Sequence, residues 1–254
     1  MKIDLAYGKT GLTIDLPDDR TSIIEPQFIP GLPDERGAIK TALRNPIGTA
    51  PLRKSVEPGQ NIGISVCDIT RPMPSKRVLP IILNELKHIP PSNITIFIAT
   101  GTHRKNTYSE LISMLGEQPM SGGYNIVNHD AFNRDNLTEV GVTKKNIPIF
   151  LNSDWIKTDF KITTGFVEPH FFAGFSGGPK MIAPGLAGFE TIMKLHDSDM
   201  IGNTKSKWGI TYGNPIHDSI REIATLSPSD LTLDVTINKN HKITSVYGGE
   251  MFEV

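Results

Sequence analysis

Short apolar runs that alternate with helix-patterned segments leave a chain few folds to adopt. In this sequence the alternation begins at residue 61. Asn61–Val66 reads as an apolar strand, Ser75 caps a helix to about Lys87, and Asn93–Ala99 reads as a strand of the fully buried kind. A helix near Tyr108–Leu115 follows, then strands at Tyr124–Asn128, Pro148–Leu151 and Phe160–Thr164. Helices at Gly188 to Leu195 and Ile216–Thr225 precede strands Leu231–Ile237 and Lys242–Tyr247, which Asn238-Lys239-Asn240-His241 joins as a hairpin. Strands alternating with helices predict an α/β fold, with a largely parallel, Rossmann-like sheet flanked by helices. Upstream, Lys2–Tyr7 and Leu12–Leu16 predict an amino-terminal β-hairpin around Gly8-Lys9-Thr10-Gly11. Ser22–Pro26 predicts a third short strand, Asp34–Arg44 a helix and Asn45–Gly59 a loop.

In such folds ligands collect beyond the carboxyl ends of the strands. The polar strand exits are therefore the places to look for chemistry. They are Asp68 to Arg71, Gly101 to Arg104, His129-Asp130 and Glu168 to Lys180. The last belongs to Val167–Gly188, which is too rich in Gly and Pro for one helix or strand and, with three Phe, too apolar for a loose linker. A shaped, buried loop is expected there, carrying His170 and Lys180.

His103 follows the most apolar strand, among two hydroxyls, a Gly and an Arg, where an imidazole can move a proton or bind metal. The competing reading is a capping or core histidine. Arg71 offers a planar fork for a carboxylate or phosphate, with Asp68 orienting it or a ligand hydroxyl, unless the two only pair with each other. Lys180 follows Ser176-Gly177-Gly178-Pro179, a phosphate-cradle-like run that lacks the spacing of a P-loop. In an apolar, glycine-walled pocket such a lysine can lose its proton and become a nucleophile. Otherwise it is a phosphate-binding or surface lysine. His196, at a helix end, is by spacing alone a structural residue or a metal ligand. His129 is a weaker candidate, and His88, His217 and His241 read as surface residues. No standard zinc signature is present.

Charge and cysteine content narrow the classes further. The net charge of −1, with basic residues scattered, gives no footprint for a nucleic acid polymer or an anionic membrane. The single cysteine, Cys67, excludes an intrachain disulfide and a multi-cysteine zinc site. With no apolar run of signal-peptide or membrane-span length, the expected location is cytoplasmic.

Three segments together resemble the nickel-dependent lactate racemase family. They are Cys67-Asp68-Ile69-Thr70-Arg71, Ala99-Thr100-Gly101-Thr102-His103-Arg104 and the run from Pro169 to Lys180. Ala183-Pro184-Gly185 and His196 extend the match in order. The resemblance implies a racemase or epimerase of a small 2-hydroxy acid such as lactate. It implies a nickel pincer nucleotide as cofactor, a pyridinium mononucleotide with two sulfur-bearing arms made by separate maturation proteins. A chain produced without those partners would lack it. By position, Lys180 would be the covalent attachment residue, His196 the nickel ligand, and His103 and His170 the acid–base pair. Asp68, Thr70, Arg71, Ser176, Gly177 and Gly178 would hold the cofactor. The resemblance also implies a second domain after this one. Residues 1–254 are accordingly expected to be an amino-terminal catalytic domain, truncated and of low activity alone. A non-catalytic phosphate- or nucleotide-binding module and a histidine–metal hydrolase using His103, His170 and His196 are the alternatives.

Overall fold

The computed structural model describes residues 1–8 and 10–254. The first elements are β1 (Lys2–Leu5), β2 (Leu12–Asp15), α1 (Glu35–Arg44), α2 (Leu52–Ser55), β3 (Ile62–Cys67) and α3 (Ser75–Glu85). Next come β4 (Ile94–Ala99), α4 (Tyr108–Leu115), α5 (Glu117–Ser121), β5 (Asn125–Asn128), β6 (Leu137–Val142), β7 (Pro148–Asn152) and α6 (Ser153–Lys157). The chain continues through β8 (Phe160–Phe166), β9 (Pro169–His170), β10 (Gly174–Phe175), α7 (Phe189–Leu195) and α8 (Ser198–Ile201). It ends with α9 (Pro215–Leu226), β11 (Leu231–Ile237) and β12 (Ile243–Gly249).

The central sheet runs β12-β11-β8-β3-β4-β5. All its pairings are parallel except β11 with β12, the expected hairpin. This is the expected α/β fold. Each face carries its own core. One side packs Ile39, Leu43, Leu79, Ile82 and Leu111 of α1, α3 and α4 against the sheet. The other packs Trp155, Leu186, Ile216, Ile220 and Ile223 around α6, α9 and the loop before α7. Strand β3, covered on both faces, is buried throughout, as parallel strands between helix layers are. The chain leaves β3 toward β4 and β5, then returns to add β8 on β3's other side. That reversal opens a crevice at the carboxyl ends of β8, β3 and β4.

Several elements differ from the sequence reading. Residues 22–26 form no strand, and the amino-terminal hairpin is only β1 paired with β2; Lys9 in its turn lies outside the described residues. The expected loop 45–59 contains the short helix α2. Ser75 is the first helical residue, not the cap; Pro74 precedes it with no side-chain cap. Strand β6 was not anticipated. It pairs with β7 across a register shift between Glu139 and Gly141, where Gly141 has φ +144° and breaks the alternation.

Candidate active site

The crevice holds a cavity of about 230 Å³. Asp68, Arg71, His103, His170, Ser176, Gly177, Lys180 and His196 all line it, with Phe166, Met181 and Ile192 among its apolar walls. Thr70 and Gly178 are not part of that lining.

Asp68 directly follows β3 and is buried. It does not pair with Arg71. Its Oδ2 accepts from His103 Nδ1 at 3.0 Å, and its Oδ1 accepts from Thr70 Oγ1 at 2.8 Å. Thr70 therefore positions the carboxylate, and the carboxylate positions the imidazole. His103 reaches it because the chain turns sharply after β4. Gly101 sits at φ +55° and donates its N–H to Gly185 O, while the His103 N–H donates to Thr100 O. With Nδ1–H engaged by the carboxylate, neutral His103 carries its lone pair on Nε2. Arg71 is paired only loosely, 3.8 Å from Glu168, and both side chains are partly exposed.

The opposite wall is the Gly-rich loop. It folds into the two-residue strands β9 and β10, followed by a 3₁₀ turn over Gly178–Met181. Ser176 Oγ donates to Phe166 O at 2.8 Å and accepts from the Glu168 N–H at 3.0 Å, so this hydroxyl fastens the loop to the end of β8. Ser65 Oγ of β3 donates to Met181 O, fixing the far end of the turn. His170 is buried, stacked on Phe171 and edge-on to Phe172. Its Nδ1 accepts the Ala173 N–H at 3.3 Å, which places the ring proton on Nε2. Burial, then the nearby Lys180, Arg71 and His196, lowers its pKa to about 3.

Burial, then Arg71, lowers the Lys180 pKa to about 7, although Glu168 opposes this. Much of this amine is therefore unprotonated at neutral pH. Cys67 also lines the cavity, but burial raises its thiol to about 12, so it is no nucleophile there. His196 ends α7. Its Nδ1 lies 2.7 Å from Ile192 O, so that nitrogen carries the proton and Nε2 keeps its lone pair. A backbone carbonyl behind the ring is the usual support for a metal-binding imidazole. Among the described residues, no three His, Cys, Asp or Glu side chains are grouped to hold a metal ion. His103, His170 and His196 thus do not assemble the three-histidine metal site of a hydrolase.

Sequence reasoning missed Asp234. It sits in β11, fully enclosed beneath the Gly-rich loop, and its Oδ2 accepts the Gly178 N–H at 2.6 Å. A Cβ on Gly177 would lie 2.5 Å from that carboxylate. Burial raises the Asp234 pKa to about 6, against the pull of the Gly178 amide. The signal was an acid at a buried position of an apolar strand. His217, read as a surface residue, is half-buried with its ring 3.3 Å from Ala173 O, behind the same loop. His129 is a core residue, with Nε2 2.8 Å from Ala187 O.

Residues 7–209 match the family model described as the lactate racemase N-terminal domain. The chain is 37% identical over 251 residues to the lactate racemase of Thermoanaerobacterium thermosaccharolyticum, covering 97% of this chain and 59% of that protein. It is 31% identical over 253 residues to the lactate racemase of Lactiplantibacillus plantarum, covering 98% of this chain and 59% of the relative. The chain therefore spans about 59% of the length of each curated relative it matches. Its fold superposes on the solved lactate racemase apoprotein of T. thermosaccharolyticum with a TM-score of 0.86 at 36% identity, covering 99% of this chain and 59% of that one. A Thermotoga maritima protein shares the fold at a TM-score of 0.72 and 22% identity, over 86% of this chain and 55% of that chain. No helix among the described residues is long and apolar enough to cross a membrane.

Proposed function

The chain belongs to the lactate racemase N-terminal domain family, and we propose that it forms the acid–base and cofactor-bearing part of a racemase or epimerase acting on a small 2-hydroxy acid. One observation carries this reading. Two imidazoles with opposite hydrogen bonding at Nδ1 share one cavity with an amine, a guanidinium and a carbonyl-backed imidazole.

The residues fit a nickel pincer nucleotide. Lys180 offers an amine of low pKa, and His196 offers a single oriented nitrogen. With no protein cage of three ligands, a metal held here would take most of its ligands from a bound group. Lys180 would hold the nucleotide covalently and His196 would ligate nickel; when bound, the group supplies a hydride acceptor for the substrate's 2-carbon. Maturation proteins that make the nucleotide are the partners this implies.

The chain's own residues handle binding and protons. Arg71 grips the substrate carboxylate. His103 Nε2 takes the 2-hydroxyl proton, and Asp68 stabilises the imidazolium that results. His170 presents Nε2–H to the substrate oxygen. To act as base toward the other enantiomer it must shift that proton to Nδ1 and release the Ala173 N–H.

The test is production of the chain together with a pincer-maturation system, followed by intact-mass measurement and chiral chromatography of lactate. The expected result is added mass on Lys180 and slow but measurable interconversion of the enantiomers. Added mass with no turnover of any 2-hydroxy acid tested would sink the racemase reading.

A further inference from the structure

We infer that the unloaded cavity is a carbonyl-capturing site, in which Lys180 condenses with 2-oxo acids to form an imine while Arg71 holds their carboxylate. The inference rests on the cavity's geometry and chemistry and not on the racemase reading.

Three features converge. The Lys180 turn is fixed at both sides, by Gly178 N–H on Asp234 and by Ser65 Oγ on Met181 O, so the amine is delivered to one wall of the cavity. Its depressed pKa leaves it nucleophilic near neutrality, while an exposed lysine titrates near 10.5 and is almost wholly protonated there. Arg71 lines the same cavity and, among the described residues, its side chain makes one loose ion pair, with the partly exposed Glu168 at 3.8 Å. A guanidinium so placed is available for a carboxylate. A small molecule with a carbonyl next to a carboxylate satisfies both residues at once, whereas a simple ketone satisfies only the amine.

The step balances without an oxidant. The Lys180 nitrogen attacks the carbonyl carbon, a proton passes from nitrogen to oxygen, and a carbinolamine forms. The carbon–oxygen bond then breaks, the oxygen leaves as water with the second amine proton, and a carbon–nitrogen double bond remains. The cavity's imidazoles can relay these protons; His103 does so through Nε2, because Nδ1 is held by Asp68. The reaction reverses on hydrolysis, so 2-oxo acids compete with any other carbon electrophile for this amine.

The experiment uses the chain produced without maturation proteins. It is incubated at neutral pH with sodium cyanoborohydride and either pyruvate or hydroxyacetone, the uncharged analogue. Cyanoborohydride delivers hydride to the imine carbon, solvent protonates nitrogen, and the adduct becomes permanent. Intact mass and peptide mapping then locate it. The expected result is a single pyruvate adduct on Lys180, formed about tenfold or more faster than the hydroxyacetone adduct, as a charge-assisted contact predicts. Arg71→Gln should abolish that preference while leaving the melting temperature close to the parent's. Labelling spread evenly over surface lysines, equal rates for the two carbonyls, or a preference that survives in Arg71→Gln would each overturn the proposal. None of these outcomes bears on racemisation by the loaded protein, so the two readings can fail separately.

Discussion

The two walls of the cavity hold the same kind of side chain in opposite states. On the β3–β4 wall, His103 is half-exposed and tied by Nδ1 to a buried carboxylate, itself tied to Thr70. On the Gly-rich wall, His170 is buried among phenylalanines, accepts a backbone N–H at Nδ1, and has its pKa lowered to about 3. One ring leans on a carboxylate and the other is kept neutral by burial. Environment, not residue type, assigns the roles, as with paired carboxylates held in unlike surroundings. The first wall is a charge-assisted polar network at strand ends. The second is a desolvated loop whose geometry rests on glycines and one buried acid.

The largest effects should come from breaking that pairing in the loaded protein. His103→Gln and His170→Gln should each lower racemisation by about 10² to 10⁴-fold, the range for losing a positioned acid or base. Asp68→Asn should act through His103, because an amide can leave the ring with its proton on the wrong nitrogen. Combining Asp68→Asn with His103→Gln should then cost little more than His103→Gln alone. Adding Asp68→Asn to His170→Gln should cost more than either change does. Multiplicative losses in the first pair, measured by chiral chromatography, would show that Asp68 does not work through His103.

A second difference between the walls is readable at Lys180 in the unloaded chain. Besides burial, the groups that act on its charge are Arg71, which favours the neutral amine, and Glu168 and Cys67, which favour the ammonium. Competitive acylation followed across pH should give a midpoint for Lys180 near 7, against about 10.5 for exposed lysines. Arg71→Gln removes a neighbouring cation and should move that midpoint upward. A midpoint shared with the surface lysines would mean that the loop does not desolvate the amine.

The two walls also differed in how legible they were. The polar strand exits could be read because parallel strands put their carboxyl ends together, so Asp68 and His103 fell at the same edge. The contact between them is not legible in the sequence, which offers Asp68 a ligand hydroxyl or its chain neighbour Arg71. Sequence proximity favoured that partner; the turn at Gly101 brought a residue from the next strand closer. The Gly-rich loop was recognisable as shaped and buried, but not what shaped it. Asp234 lies 56 residues from its partner Gly178, and no local period marks such a contact. Ser176 lines the cavity, as a cofactor contact would, and its hydroxyl also bonds backbone as donor and as acceptor, a bracing role that no local pattern marks. Strand β6 escaped because Gly141 breaks its alternation.

The loop's dependence on absent side chains gives a smaller, sharper test. Gly177 combines φ +83° with a carboxylate where a Cβ would sit. Gly177→Ala should destabilise the unloaded chain by about 1–3 kcal/mol from backbone strain, with more from displacing Asp234. Gly59, at φ +97° with open space around it, provides the control. Gly59→Ala should carry only the backbone part. Equal losses in denaturant titrations would show that Asp234 does not brace the loop.

The subtlest expectation concerns pH, where the buried acid and the buried imidazole pull in opposite directions. Asp234 has an ordinary value of 3.8 and a folded value of about 6. The folded state therefore binds this proton more tightly than the unfolded chain, and stability should fall as pH rises from about 4 to about 6. His170 has an ordinary value of 6.5 and a folded value of about 3. Here the unfolded chain binds the proton more tightly, and stability should rise as pH climbs through the same window. Their contributions offset each other in the parent. Asp234→Asn removes the falling contribution, so its stability relative to the parent should increase from pH 4 to 6. His170→Gln removes the rising one, so its relative stability should decrease over that range. Urea titrations at intervals across the window measure both slopes. If the two variants tracked the parent in parallel, neither group would be titrating as its burial requires, and the neutral state of His170 would have to come from elsewhere.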